Sequence, residues 1–176
     1  NSQVWKSLDG GVTYTQTDVG ATTSKLGAQG WYDNVVWVDP TNANHVIVGG
    51  VPLSRSTDGG VTFATIGGIH ADHHAIVSDP GFNGTTNRRV YFGNDGGLYK
   101  SETVSAGSSI TFTNLNKNYG VTQFYGGSSV STGRIFGGTQ DNGSLLYTPA
   151  NGPQAWTSMI GGDGGFMSGD PTNASY

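Results

Sequence analysis

A short pattern that occurs twice constrains this chain more than anything else in it. Ser7-Leu8-Asp9-Gly10-Gly11-Val12-Thr13-Tyr14 returns as Ser56-Thr57-Asp58-Gly59-Gly60-Val61-Thr62-Phe63. Each copy is a polar segment with paired glycines, followed by residues suited to a strand. Such a segment reverses the chain between two strands. The Asp carboxylate accepts backbone N–H bonds and holds the turn, and glycine supplies a positive φ at no steric cost. Thr and the aromatic restart the strand, with the ring tucked under the turn. Ser7, Asp9, Gly11 and Tyr14, with Ser56, Asp58, Gly60 and Phe63, are therefore assigned a structural role.

The turns belong to a longer repeat. Val46-Ile47-Val48-Gly49, Val90-Tyr91-Phe92-Gly93 and Ile135-Phe136-Gly137-Gly138 read as one strand seen three times. Val46 to Val90 is 44 positions, and Val90 to Ile135 is 45. A polar turn and a second matching strand follow each: Leu53–Ser56, Leu98–Ser101 and Leu145–Thr148, with Val4–Ser7 as a further copy. Val35–Pro40 and Ala75–Pro80 precede the first two sets, and Phe166–Pro171 repeats that piece later. A period of about 45 residues with four short strands per unit is the signature of a β-propeller blade.

The expected fold is all-β, a single segment of four-stranded antiparallel blades. It holds a partial blade at 1–16, blades at about 31–66, 73–114 and 121–159, and a partial blade at 163–176 whose first strand covers about 163–170. That makes about four blade lengths, where closed propellers usually have about 4–8 blades. The expectation is a piece of a larger propeller, with the remaining blades supplied by missing sequence or another chain. A small four-bladed ring closed by the two ends is the alternative, and an ordinary β-sandwich is the competing fold.

Composition agrees with many tight turns: 30 glycines in 176 residues and 11% charged residues. A net charge of −4 with eight scattered Lys and Arg leaves no footprint for nucleic acid or an anionic membrane. No apolar run is long enough for a membrane-spanning helix. The chain opens without the features of a signal peptide. The absence of cysteine removes disulfides, thiolate chemistry and Cys-based zinc sites, and fits a secreted or cell-surface bacterial protein.

Blade topology decides which loops meet. If strands are lettered A to D from the axis outward, the loop leading into A and the B–C loop share one face. The A–B loop and the C–D turn share the other. The first face collects Trp31-Tyr32-Asp33, His70-Ala71-Asp72-His73-His74, Asn94-Asp95-Gly96-Gly97, Gln123-Phe124-Tyr125, Gln140-Asp141-Asn142-Gly143 and Gly162-Asp163-Gly164-Gly165. Loop parity thus predicts that His70, Asp72, His73, Asp95, Asp141 and Asp163 gather near the axis, opposite Asp9 and Asp58.

Asp95, Asp163 and Asp141 are the candidate catalytic acids. Trp31, Tyr32, Asp33, His73, Gln123, Tyr125, Gln140 and Asn142 are the candidate ligand-binding residues, with the aromatics as a sugar-stacking platform or as inter-blade core. Strand alternation sets His70, Asp72 and His74 on one side and His73 on the other. Together with Asp95 they form a candidate metal set of His70, Asp72, His74 and Asp95. Mostly oxygen donors favour Ca²⁺ over Zn²⁺. The competing reading makes Asp95, Asp141 and Asp163 turn formers and the histidines a hydrogen-bonded structural cluster.

The repeated turn resembles the Asp-box (BNR) hairpin of sialidase-like, sortilin-like and xyloglucanase-like β-propellers. The loop segments named above, with Gln29-Gly30 before Trp31, resemble a group of BNR-repeat proteins secreted by bacteria. Asn94-Asp95-Gly96-Gly97-Leu98-Tyr99-Lys100 is similar to the segment that carries a catalytic Asp in xyloglucanase-type propellers. That resemblance implies that Asp95 is one of two acids, in enzymes that set two propellers face to face. Sialidase chemistry is disfavoured. It needs clustered arginines and a Tyr–Glu pair, whereas the arginines are Arg55, Arg88, Arg89 and Arg134, and Glu102 is the only glutamate.

Two functions follow as expectations. One is a binding or scaffold propeller recognising a glycan or an extracellular protein on its axial face. The other is a glycoside hydrolase fragment using Asp95 with Asp163 or Asp141, where carboxyl groups about 5–5.5 Å apart imply retention and about 6.5–9.5 Å inversion. A purely structural surface module is a third reading.

Overall fold

The computed structural model describes residues 2–21, 24–105, 109–120 and 122–173. Residues 1, 106–108, 121 and 174–176, which fall within expected blades, lie outside the described residues. β1 (Trp5–Lys6) and β2 (Thr15–Gln16) pair as a two-stranded antiparallel sheet. β3 (Val35–Val38), β4 (Val46–Gly49), β5 (Leu53–Ser56) and β6 (Ala64–Ile66) form the first four-stranded sheet. β7 (His73–Ser78), β8 (Val90–Asn94), β9 (Gly97–Ser101) and β10 (Thr113–Asn114) form the second. β11 (Phe124–Ser129), β12 (Ile135–Thr139), β13 (Ser144–Tyr147) and β14 (Trp156–Ile160) form the third. Within each sheet every strand pairs antiparallel with the next in sequence. That up-and-down meander is the blade of a propeller, and the chain is all-β. Among the described residues the one helical piece is a 3₁₀ turn at Pro149–Asn151.

The chain divides into two compact units, Asn1–Tyr119 and Gly120–Tyr176. The first unit holds β1 to β10 and the second β11 to β14.

The core of the first unit lies between its two four-stranded sheets. Trp37, Ile47, Leu53, Ile76, Val90, Phe92 and Val104 form one buried cluster. Each such side chain contributes roughly 1.5–3 kcal/mol on burial. Every residue of β4 is buried, because β4 is an interior strand packed on both faces. Phe82 packs edge-on against Trp37, whose Nε1–H donates to Ser78 Oγ at 2.9 Å. β3 and β7, the first strand of each sheet, are neighbours, and this sets the loops before them side by side.

The repeated turns are built alike. Asp58 Oδ1 accepts the N–H groups of Val61 (3.1 Å) and Thr62 (2.9 Å), and Oδ2 accepts the Thr62 hydroxyl. Ser56 Oγ donates to Asp58 Oδ1 (2.7 Å) and accepts the Gly60 N–H (2.9 Å). Ser7, Asp9, Gly11, Val12 and Thr13 repeat this set bond for bond. Gly59 and Gly60 have φ of 76° and 92°, where a Cβ is strained. The closing ring of each copy reaches the second glycine of its turn, Tyr14 at Gly11 and Phe63 at Gly60, although Tyr14 keeps 59% of its surface exposed.

The other two blades solve this turn differently. After β9, Glu102 pairs with Arg89 and Lys100 at the surface. After β13, the 3₁₀ turn takes over. Residues 163–170 form no strand, against the expectation. They make isolated bonds along the β11–β12 pair: Gly164 N–H to the Thr139 carbonyl (2.7 Å) and Gly169 N–H to Ser128 Oγ (2.9 Å). Extended backbone becomes a strand only with a ladder partner, and none of the described residues supplies one.

Candidate functional site

Three loops of the first unit converge at one end of its sheets: residues 29–33 before β3, 70–72 before β7, and the β8–β9 turn at 95–96. Backbone bonds tie the last two to each other and to the β4–β5 turn. Asp72 N–H donates to the Val51 carbonyl (3.2 Å), His73 N–H to Gly50 (2.9 Å), and Asp95 N–H to Asp72 (3.2 Å). Gly50 permits this because the Leu26 backbone occupies the place where a Cβ would stand. Asn94 Nδ2 donates to the His70 carbonyl at 3.1 Å and secures the loop before β7.

His74 stands between two carboxylates. Its Nδ1 lies 3.2 Å from Asp33 Oδ1, and its Nε2 lies 2.5 Å from Asp95 Oδ1. Tyr32 meets His74 edge-on with centroids 5.5 Å apart, and Trp31 lies 5.6 Å from Tyr32. Trp31 is 83% exposed and Tyr32 59%, so the pair offers an aromatic surface beside Asp95.

Asp33 is buried, and neither of its oxygens has a well-aligned donor. The 3.2 Å approach of His74 is an ion-pair distance without hydrogen-bond geometry. Burial pushes the Asp33 carboxyl above the usual range; the His74 ring opposes this, and the charges of Asp72 and Asp95 add to it. Asp72 is braced in turn by Gln29 Nε2 at 3.2 Å.

Strand alternation holds for His73 against His74, since His73 is buried while His74 faces Asp33 and Asp95, and it fails at His70. Asp72 has φ of 60°, outside the strand, and the β7–β8 register shifts between His73 and Ala75. A bulge re-aims the side chain it displaces. His73 points into the core, with burial lowering its pKa to about 4. His74 turns toward Asp33 and Asp95, while His70 Nδ1 stays 3.1 Å from the Ala71 carbonyl. Of the expected metal set, Asp72, His74 and Asp95 approach Asp33, and His70 does not join them. Among the described residues no group of three or more His, Cys, Asp or Glu is arranged to hold a metal ion. The His74 ring occupies the space between the carboxylates. Among the expected ligand-binding residues, Trp31 and Tyr32 are exposed, whereas Asp33 and His73 are each 1% exposed and offer a ligand no surface.

In the second unit, Asp163 Oδ1 accepts the Asp141 N–H at 3.0 Å. Asp141 has φ of 58° in a turn where Asn142 donates to the Gln140 carbonyl through its N–H (2.7 Å) and Nδ2 (3.0 Å). Gln140 N–H donates to the Gln123 carbonyl at 2.9 Å. Asp163 acts here as a turn brace. Phe124 and Tyr125 are both partly exposed, and the Phe124 ring lies 5.9 Å from that of Trp156.

The pivotal role of His74 escaped the sequence reading, which had assigned it to a metal. Its only sequence signal is a His two residues after a non-Gly residue that adopts a positive φ, and φ is invisible in a sequence.

Among the described residues no helix is long and apolar enough to cross a membrane. No family model matches the sequence, and no curated protein matches it. Among solved structures, the chain is similar to the GH74 enzyme of Niastella koreensis, with a TM-score of 0.47 and 23% identity over 89% of this chain and 26% of that one. It is also similar to an ancestral GH74 enzyme, with a TM-score of 0.36 and 16% identity over 79% of this chain and 22% of that one. The chain therefore spans about a quarter of the length of these two structures.

Proposed function

We propose that this chain is part of a secreted, Asp-box (BNR) type propeller that binds a glycan at the loop end of its first unit. The observation that carries this reading is the exposed Trp31–Tyr32 pair set directly against the His74–Asp95 pair. Sugars present apolar C–H faces that stack on aromatic rings, and hydroxyls that a fixed carboxylate accepts. Trp31 and Tyr32 supply the stacking face, and Asp95 takes the hydroxyls. Glycan-array screening of the intact chain, repeated with Trp31→Ala, tests it. Binding to a defined glycan class that falls at least tenfold in the variant supports the reading. Equal binding by both proteins, or none by either, removes it.

A glycoside hydrolase is the second reading, favoured by the same Asp95, because a carboxylate oriented by a neighbouring imidazole also suits acid–base work. New reducing ends released from an array-positive glycan, and lost in Asp95→Asn with binding retained, would establish it.

A further inference from the structure

We propose that His74 is a positioning residue that sets the Asp95 carboxylate for its ligand, and that buried Asp33 is the anchor that sets His74. The inference rests on the glycan-binding reading and deepens it, since it names the device that fixes the hydroxyl acceptor.

Asp95 sits in the tight turn between β8 and β9, with a third of its side chain exposed. A carboxylate in such a place rotates freely unless something holds it. His74 Nε2 holds Oδ1 at 2.5 Å and occupies one of its two oxygens. The imidazole would itself swing, being 36% exposed, but its opposite nitrogen faces Asp33 Oδ1 at 3.2 Å. Tyr32 closes edge-on against the ring. Asp33 has no freedom to follow, because it is buried and its own N–H and that of Tyr32 are both tied to the Gln29 carbonyl at 2.8 Å. Alternation sends His73 into the core and His74 to the side of the two carboxylates, and the bulge between His73 and Ala75 returns Ile76 to the core side. A contacting group held by a locked neighbour loses little freedom on binding, which is how preorganisation raises affinity. Asp33 touches no ligand in this scheme, and its effect travels through His74.

The test uses the intact chain, a conservative-rescue series and titration calorimetry with cellohexaose, a neutral β-linked hexasaccharide. His74→Ala is expected to weaken binding roughly tenfold, the loss of about one charge-assisted hydrogen bond. His74→Gln, whose amide nitrogen reaches the Nε2 position, recovers most of that loss. His74→Asn, which reaches only the Nδ1 position, does not. Asp33→Ala falls to the level of His74→Ala. Equal binding by the wild type and His74→Ala, or by the Gln and Asn variants, overturns the proposal.

A ligand-free readout separates this from the glycan reading. In ¹⁵N-labelled protein the His74 Nε2 resonance should move in Asp95→Asn, and the Nδ1 resonance in Asp33→Ala. If neither moves, the positioning role is wrong whether or not sugar binds. If both move while cellohexaose and the array glycans fail to bind the wild type, the linkage stands as geometry and the glycan reading falls, and with it the ligand-positioning role.

Discussion

Asp33 and Asp58 are both carboxylates at the ends of strands, and their surroundings push them in opposite directions. Asp58 is held at about 2 by the Thr62 hydroxyl first, then by the Thr62 N–H and the Ser56 hydroxyl. Asp9 is held at about 2 by the matching Thr13 and Ser7 contacts. A carboxyl lowered below its ordinary 3.8 stabilises the fold above that value and loses the contribution as pH falls toward 2. Asp58→Asn should therefore flatten the dependence of Tm on pH between about 4 and about 2, measured by circular-dichroism melts across that range. Asp33 is raised instead, so the fold carries its penalty at high pH and sheds it as pH drops. Three groups face it: Asp72, His74 and Asp95. In Asp33→Asn the amide cannot ionise, and the variant's Tm relative to the wild type should rise from below pH 3.8 toward neutrality. A Tm difference that stays flat with pH would contradict the raised carboxyl. Ser56 is fully buried and serves three bonds in its turn, so Ser56→Ala should cost about 1–2 kcal/mol in denaturant unfolding. Ser7→Ala, in the exposed copy, should cost visibly less.

The blades share details that reach past their strand order. β7 bulges at His74 and β11 bulges at Tyr125, each just after the strand begins. The backbone before each bulge accepts a bond from the following B–C turn: Asp72 from Asp95, and Gln123 from Gln140. One backbone device thus recurs at His74 and Tyr125, and differing side chains decide what the blade does with it. The 45-residue spacing relates Asp95 to Gln140, whereas Asp72 and Gln123 lie 51 residues apart, and the bulge was not legible in the sequence because alternation assumes unbroken pairing. Glycine supplies the close approaches. At Gly138 a Cβ would stand on the Gly165 carbonyl oxygen, whereas at Gly161 nothing lies within 4 Å. Gly138→Ala should destabilise by roughly 1–3 kcal/mol in urea titration, and Gly161→Ala should stay close to the wild type. Comparable losses in both would mean that residues 163–170 do not press on β12 as described.

At the scale of the whole chain, β14 is an edge strand with every residue exposed, among them Trp156, Met159 and Ile160. An apolar open edge is a template for pairing with another chain. Concentration-dependent light scattering should show self-association of this chain, and Met159→Lys should reduce it without lowering Tm.

The sequence by itself determined the strands, their antiparallel order and the two Ser–Asp–Thr turns. Each of these depends on residues near one another along the chain, on period, glycine placement and side-chain-to-backbone bonds. It also brought Trp31, Tyr32 and Asp95 onto one list through loop parity, a matter of counting strands. Only the tertiary structure decided that His74 joins Asp33 to Asp95, that His73 is core, and that 163–170 runs without a ladder. The three linked residues come from three segments, and their meeting depends on the packing of β3 beside β7. Alternation put His74 beside Asp72 and opposite His73, but the burial of Asp33 and its approach to His74 arise from packing between segments that no local pattern records.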